Sequence, residues 1–280
     1  PEITAVQDGE KLDLGNRTLT FMETRMLHWP DSMFAYLNEE QILFSQDAFG
    51  MHLATSERFA DLCDPSVLAY EAATYYANIL LPYSPLVLKL IDKVKAAGLS
   101  LRVIAPDHGP IWRRETGGIV ENYAKWAAQK TEPKAVVVYA TMWHSTEKMA
   151  KAISEGLADG GLSVKLMSVD GVHRSDVIYE LLCCGALAVG SATLNNHLLP
   201  QMADILTYLN GLKPRNLVGA AFGSYGWSGE AVKEIEGILS EMKIEKAGEG
   251  IRVKNVPDTG ALHRCRELGK TIADQVKARL

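Results

Sequence analysis

A regular alternation in the second half of the chain constrains its fold more than any other feature. Across residues 134–280, five short apolar runs are each followed by a longer amphipathic run. Lys134–Tyr139 reads KAVVVY, and a continuous apolar strand is expected where helices cover both faces of a parallel sheet. Ser163–Ser168, Ala186–Gly190, Leu217–Phe222 and Ile251–Val256 are the other predicted strands. Helices are predicted over Thr146–Leu157, from near Ser175, from Pro200, after Ser228 and from about Thr259. The Ser175 hydroxyl suits an N-cap, and proline is tolerated in a first helical turn. Val232, Ile235, Leu239 and Met242 recur at helical spacing. Such alternation implies a right-handed, doubly wound parallel sheet.

The first half has a different texture. Arg17–Glu23 and Met33–Ser45 predict antiparallel strands, with Asn38–Gln41 as a polar turn between Phe34–Leu37 and Ile42–Phe44. Residues 53–98 read as mostly helical, broken at Pro65 and across Pro82–Pro85. Leu101–Ala105 predicts a further strand and residues 113–132 a helix. Pro133 then divides a first domain, 1–132, from a second, 133–280. The net charge of −5 makes the chain a poor candidate for gripping nucleic acid or anionic lipid. No apolar run approaches the ~20 residues that span a bilayer. Cys63, Cys183, Cys184 and Cys265 form no CxxC pair, which argues against a zinc knuckle, a redox dithiol or a fused rubredoxin. Cys183 and Cys184 are expected at the buried end of a helix. Reduced thiols without a signal peptide point to the cytoplasm.

The strongest local signal follows the first strand of the second half. Thr141, Met142, Trp143, His144, Ser145 and Thr146 place hydroxyl residues between a buried strand and a helix N-terminus. Free N–H groups and the helix dipole make an anion site there. A Walker lysine and a GxGxxG run are both missing, which disfavours a nucleoside triphosphate or a dinucleotide. Ser191, Ala192, Thr193, Leu194, Asn195 and Asn196 follow the third strand; Gly223, Ser224, Tyr225, Gly226 and Trp227 follow the fourth. In a doubly wound sheet these loops meet at the carboxyl edge, where ligands bind. Tyr225 and Trp227 offer aromatic surface to a flat ring. Together the loops suit a mononucleotide with a planar head, and residues 134–280 resemble a flavodoxin domain. That resemblance implies FMN, with Thr141–Thr146 on its phosphate and Ser191–Asn196 and Ser224–Trp227 flanking the isoalloxazine.

Three residues of the first half are candidate metal ligands: His28 in RMLHWP, Asp47 in FSQDAF and His108 in PDHG. Imidazole with carboxylate suits iron, manganese or zinc rather than calcium or magnesium. Singly, each reads as well as an ordinary buried histidine, a turn former and a loop residue. In order, LHWPDSM, FSQDAFG and APDHGPIW ahead of a flavodoxin-like domain are similar to the flavodiiron proteins, or A-type flavoproteins, of the rubredoxin-dependent, oxygen-reducing type. The resemblance covers essentially the whole chain. It implies an α/β flavodoxin-like sheet preceded by the C-terminal part of an α+β, metallo-β-lactamase-like αββα domain carrying two non-haem irons. By motif, His28 and His108 each ligate one iron and Asp47 bridges them.

The family's first ligand cluster, HxExDH, does not occur in this sequence, and His52, His144, His173, His197 and His263 lack its acids. Three ligands cannot complete two irons, so the chain is expected to be the later part of a longer protein, with that cluster upstream of Pro1. The resemblance further implies reduction of O₂ to water or of NO to N₂O, rubredoxin or a similar small carrier as donor, and a head-to-tail homodimer. Tyr75 and Tyr76 are candidates for a hydroxyl near bound oxygen, and Trp29 for a lining of the electron route; both also read as packing. Two rivals stay open: a metallo-hydrolase fused to a flavodoxin, and a flavodoxin-type electron carrier with an incomplete metal domain. Motifs do not decide between O₂ and NO.

Overall fold

The computed structural model describes residues 3–280. Pro1, where the expected first domain starts, lies outside the described residues, as does Glu2. The chain forms two compact units, Pro1–Ala128 and Gln129–Leu280.

The first unit begins with β1 (Lys11–Asp13), β2 (Thr18–Glu23), β3 (Met33–Leu37) and β4 (Ile42–Phe44), then α1 (Pro65–Tyr75), α2 (Ser84–Ala96), β5 (Val103–Ala105) and α3 (Thr116–Ala128). The strands make one sheet in chain order, antiparallel except for the last pair, β4 and β5. Alternation on β3 turns Phe34 and Tyr36 inward, where Leu43 and Ile104 from the neighbouring strands complete a buried face. Fully buried Tyr76 and Tyr123 also lie in this unit's core. Residues 53–64 are mostly irregular rather than helical, with a short 3₁₀ turn at Ala60–Leu62. Pro65 does not break a helix but starts one: Asp64 caps α1 by accepting from the Ser66 and Val67 N–H groups. Pro85 likewise sits in the first turn of α2. Between α1 and α2 the chain winds as a π-turn, Tyr76–Leu80, and a 3₁₀ turn, Leu81–Tyr83.

The second unit runs β6 (Lys134–Ala140), α4 (Ser145–Asp159), β7 (Ser163–Ser168), α5 (Arg174–Leu181), β8 (Ala186–Ser191), β9 (Thr193–Leu194), β10 (His197–Leu198), α6 (Pro200–Leu212), β11 (Val218–Tyr225), α7 (Ala231–Glu241), β12 (Glu245–Lys246), β13 (Ile251–Lys254) and α8 (Thr259–Lys277). The sheet is parallel, in the order β7, β6, β8, β11, with β12 and β13 both pairing along β11. This is the doubly wound, flavodoxin-like arrangement, and its order reverses between β6 and β8. Val136, Val137 and Val138 are all fully buried, as a strand covered on both faces requires. The N-cap of α5 is His173, not Ser175: its side chain accepts from the Ser175 N–H while Asp176 returns to the His173 N–H. Cys183 and Cys184 lie just past the end of α5, both buried. Helices α4 and α8 touch backbone to backbone. A Cβ on Gly156 would lie 1.9 Å from the Arg266 carbonyl, and one on Gly269 would lie 2.3 Å from the Ile153 carbonyl.

Among the described residues no helix is long and apolar enough to cross a membrane.

Candidate functional site

The carboxyl ends of β6, β8, β11 and β13 open into a cleft of about 320 Å³. Its lining includes Met142, Trp143 and Ser145 from the first loop, Thr193 and Leu194 from the second, and Ser224, Tyr225, Gly226 and Trp227 from the third. Ala192, Asn255 and Val256 complete it. Sequence reasoning left out Asn255 and Val256; the signal was their place at the carboxyl end of the fifth strand. Trp143 and Trp227 are 84% and 80% exposed, an unusual state for indole rings, which makes them free walls for a flat aromatic ligand.

The turn into α4 is the candidate phosphate end. His144 holds φ +61°, and its Nδ1 lies 2.7 Å from Glu147 Oε2. Lys151 and then His144, both bonded to Glu147, hold its carboxyl below the usual range. Thr146 is fully buried and its Oγ1 lies 2.9 Å from Ser224 Oγ. Thr141 Oγ1 is buried with no hydrogen-bond partner among the described residues. An orphaned hydroxyl beside a helix N-terminus is a cost unless a ligand oxygen meets it, so these residues fit a phosphate.

The second loop is a tight hairpin. Asn195 and Asn196 take φ +50° and +65° between β9 and β10, the two left-handed positions that a type I′ turn requires. Asn196 Oδ1 accepts from Ser228 Oγ at 3.4 Å. Ser191 is buried, donating to the Ala192 carbonyl and accepting from the Leu199 N–H. Gly223 lies inside β11, where a Cβ would meet the Ser191 carbonyl at 2.1 Å.

In the first unit, loops after β2, β4 and β5 bring His28, Asp47 and His108 together. Asp47 Oδ2 lies 3.3 Å from His28 Nε2, and Asp47 Oδ1 lies 3.1 Å from His108 Nε2. Each carboxylate oxygen thus faces a different imidazole. The segment after β4 builds both sides of this contact. Ser45 Oγ donates to the Ala48 carbonyl and the Gly50 N–H to the Asp47 carbonyl, which curls the chain around Asp47. Phe49, at φ +66°, is held from both ends: its N–H donates to Tyr123 Oη and its carbonyl accepts from Trp112 Nε1. The Met51 carbonyl accepts from His108 Nδ1 at 3.1 Å. That bond puts the proton on Nδ1 and presents Nε2 toward Asp47, the usual way an imidazole is prepared as a metal ligand.

Tyr75, not Tyr76, stands at this cluster. Its hydroxyl lies 3.4 Å from His108 Nε2. Burial, and then the negative charge of Asp47, push that hydroxyl's pKa well above the ordinary value. Tyr76, expected as a hydroxyl near bound oxygen, instead faces Ser84 Oγ at 3.1 Å within the core and packs against Tyr123 and Trp126. One step along a helix turns the side chain by about 100°, so the adjacent tyrosines point to different places. His52, set aside in the sequence, packs its ring 4.9 Å from Tyr75 and 5.3 Å from His108. Trp29 is exposed, its ring 5.6 Å from that of His28.

Two imidazoles on opposite oxygens of one carboxylate suit a metal pair sharing that carboxylate. Among the described residues no group of three or more His, Cys, Asp or Glu side chains is placed to hold one metal ion by itself.

Residues 137–269 match the flavodoxin family, and residues 2–109 match the ODP family of beta-lactamases. A nitric oxide reductase of Moorella thermoacetica is 50% identical over 98% of this chain and 69% of its own length. The solved structure of rubredoxin oxygen:oxidoreductase from Desulfovibrio gigas superposes with a TM-score of 0.96 at 44% identity, covering 99% of this chain and 69% of that one. A flavodiiron protein from Giardia intestinalis superposes with a TM-score of 0.94 at 33% identity, over 99% and 68% of the two chains.

Proposed function

The chain belongs to the flavodiiron protein family, and from that membership we propose that it reduces O₂ to water, NO to N₂O, or both, with electrons from rubredoxin or a similar small carrier. Its two folds, metallo-β-lactamase-like and flavodoxin-like, are those of its relatives, and we take residues 1–132 and 133–280 as the corresponding domains. When bound, FMN supplies one- and two-electron transfer and a pair of non-haem irons supplies open positions for a diatomic gas.

Thr141–Thr146 would hold the FMN phosphate; Thr193–Asn196 and Tyr225–Trp227 would hold its ring. His28 and His108 would each hold one iron, and Asp47 would hold both. Met51 fixes the His108 tautomer through its carbonyl. The Tyr75 hydroxyl, kept protonated by burial, holds a proton beside that imidazole. The observation that carries this reading is the pairing of each Asp47 oxygen with a different Nε2. These three side chains would supply part of the donors for the iron pair.

A head-to-tail homodimer is the assembly that the family implies; a single copy in light scattering would contradict it. Four free thiols support a reducing compartment, the cytoplasm. A second reading is a flavodoxin-type electron carrier. Gas electrodes separate the two: with reduced rubredoxin, the purified protein should consume O₂ or NO and Asp47→Ala should consume neither. Flavin reduction without gas consumption in the unsubstituted protein would leave only the carrier.

A further inference from the structure

Two hydroxyls at the phosphate end of the flavin cleft are spent on each other. Thr146 sits in the first turn of α4 and Ser224 near the end of β11, 78 residues apart, and their oxygens lie 2.9 Å from one another. Thr146 is fully buried and Ser224 is 7% exposed. No other hydrogen bond of either hydroxyl forms among the described residues. Two hydroxyls joined by one bond carry two protons, so one proton is left to point elsewhere.

The direction follows from the surroundings. Thr146 belongs to the helix end whose N–H groups face an anion, and Thr141 Oγ1, from the same loop, is buried and unpartnered. Two lysines follow on α4: Lys148 is exposed, and Lys151 is bonded to Glu147. The hydroxyls of this turn are neutral donors to an anion, and a donor is strengthened when its own oxygen accepts a hydrogen bond.

We propose that Ser224 is a positioning residue for the FMN phosphate: its hydroxyl donates to Thr146 Oγ1 and so turns the Thr146 proton onto a phosphate oxygen. The proposal rests on the FMN reading. It moves Ser224 from the ring, where the sequence put it, to the phosphate. This relay makes Ser224 a determinant of selectivity for FMN over riboflavin, which has the same ring and no phosphate.

Flavin-free protein titrated with FMN and with riboflavin, followed by quenching of flavin fluorescence, tests this. Ser224→Ala should weaken FMN binding about tenfold and change riboflavin binding by less than about twofold. Thr146→Val should weaken FMN binding at least as much, and adding Ser224→Ala to it should cost nothing more, because the relay is already broken. Riboflavin binding doubles as the control that the variants fold. Equal weakening of both flavins by Ser224→Ala, or losses that add in the double variant, would overturn the relay. Unsubstituted protein that binds the two flavins equally would overturn it too while leaving the flavin site standing. Protein that binds neither would overturn the flavin reading itself.

Discussion

At the scale of single residues, the geometry of the proposed metal site depends on a backbone segment with no ligand in its second half. Gly50 is the clearest case: a Cβ there would lie 2.8 Å from the His108 carbonyl and 3.1 Å from the Asp47 carbonyl. Gly50→Ala must push two of the three donors apart. The expected result is a fall in iron per chain with flavin per chain unchanged; unchanged iron would contradict the placement of this loop. Tyr123 acts on the same segment through Phe49. Removing its hydroxyl leaves a buried N–H unpaired, so Tyr123→Phe should lower stability near neutral pH by about 1–3 kcal/mol. The same hydroxyl gives a pH dependence. Burial raises its pKa well above the ordinary 10.0, so above about pH 10 the unfolded chain loses a proton that the folded chain retains, and stability falls as pH rises. Urea melts taken at about pH 9 and about pH 11 should show a smaller alkaline loss in Tyr123→Phe than in the unsubstituted protein. An equal loss would mean that this hydroxyl is not buried in the native state.

At the scale of elements, two helical glycines separate packing from propensity. Alanine in place of glycine favours a helix by about 1 kcal/mol when nothing is in the way. Gly237 in α7 has nothing within 4 Å of a built Cβ, so Gly237→Ala should stabilise the second unit by about 0.5–1 kcal/mol. Gly156 in α4 meets the Arg266 carbonyl of α8 at 1.9 Å, so Gly156→Ala should destabilise it by about 1–3 kcal/mol despite the same gain in propensity. Chemical denaturation of both variants checks the pair; the same sign in both would mean that α4 and α8 are not in backbone contact. The strands and helices of the second unit were legible because period and length agree: KAVVVY has the look of a strand covered on both faces, and Val136–Val138 are buried. The short pieces were not. Strands of two or three residues, such as β1, β9, β10 and β12, carry too few residues for any period. Pro65 and His173 were misread for a local reason. Proline signals a break or a first turn equally well, and an imidazole capping a helix is uncommon enough that Ser175 looked the better candidate.

At the scale of the molecule, the flavin cleft could be read in the chain because a parallel sheet brings the loops after β6, β8 and β11 to one edge whatever their sequence separation. The convergence of His28, Asp47 and His108 could not be computed from spacing. It depends on three loops of a mixed sheet whose register only the fold sets, and the motifs pointed to it through resemblance alone. Tyr75 and Tyr76 could not be told apart, since one residue's step along a helix is about 100° and the π-turn that follows α1 is silent in the sequence. Under the proposed function, one carboxylate, that of Asp47, would be shared by two irons. Mössbauer spectra of the ⁵⁷Fe-loaded protein test that directly. The account predicts a spin-coupled pair of irons, lost in Asp47→Ala while flavin stays bound; isolated single irons, or a coupled pair that survives the substitution, would contradict it.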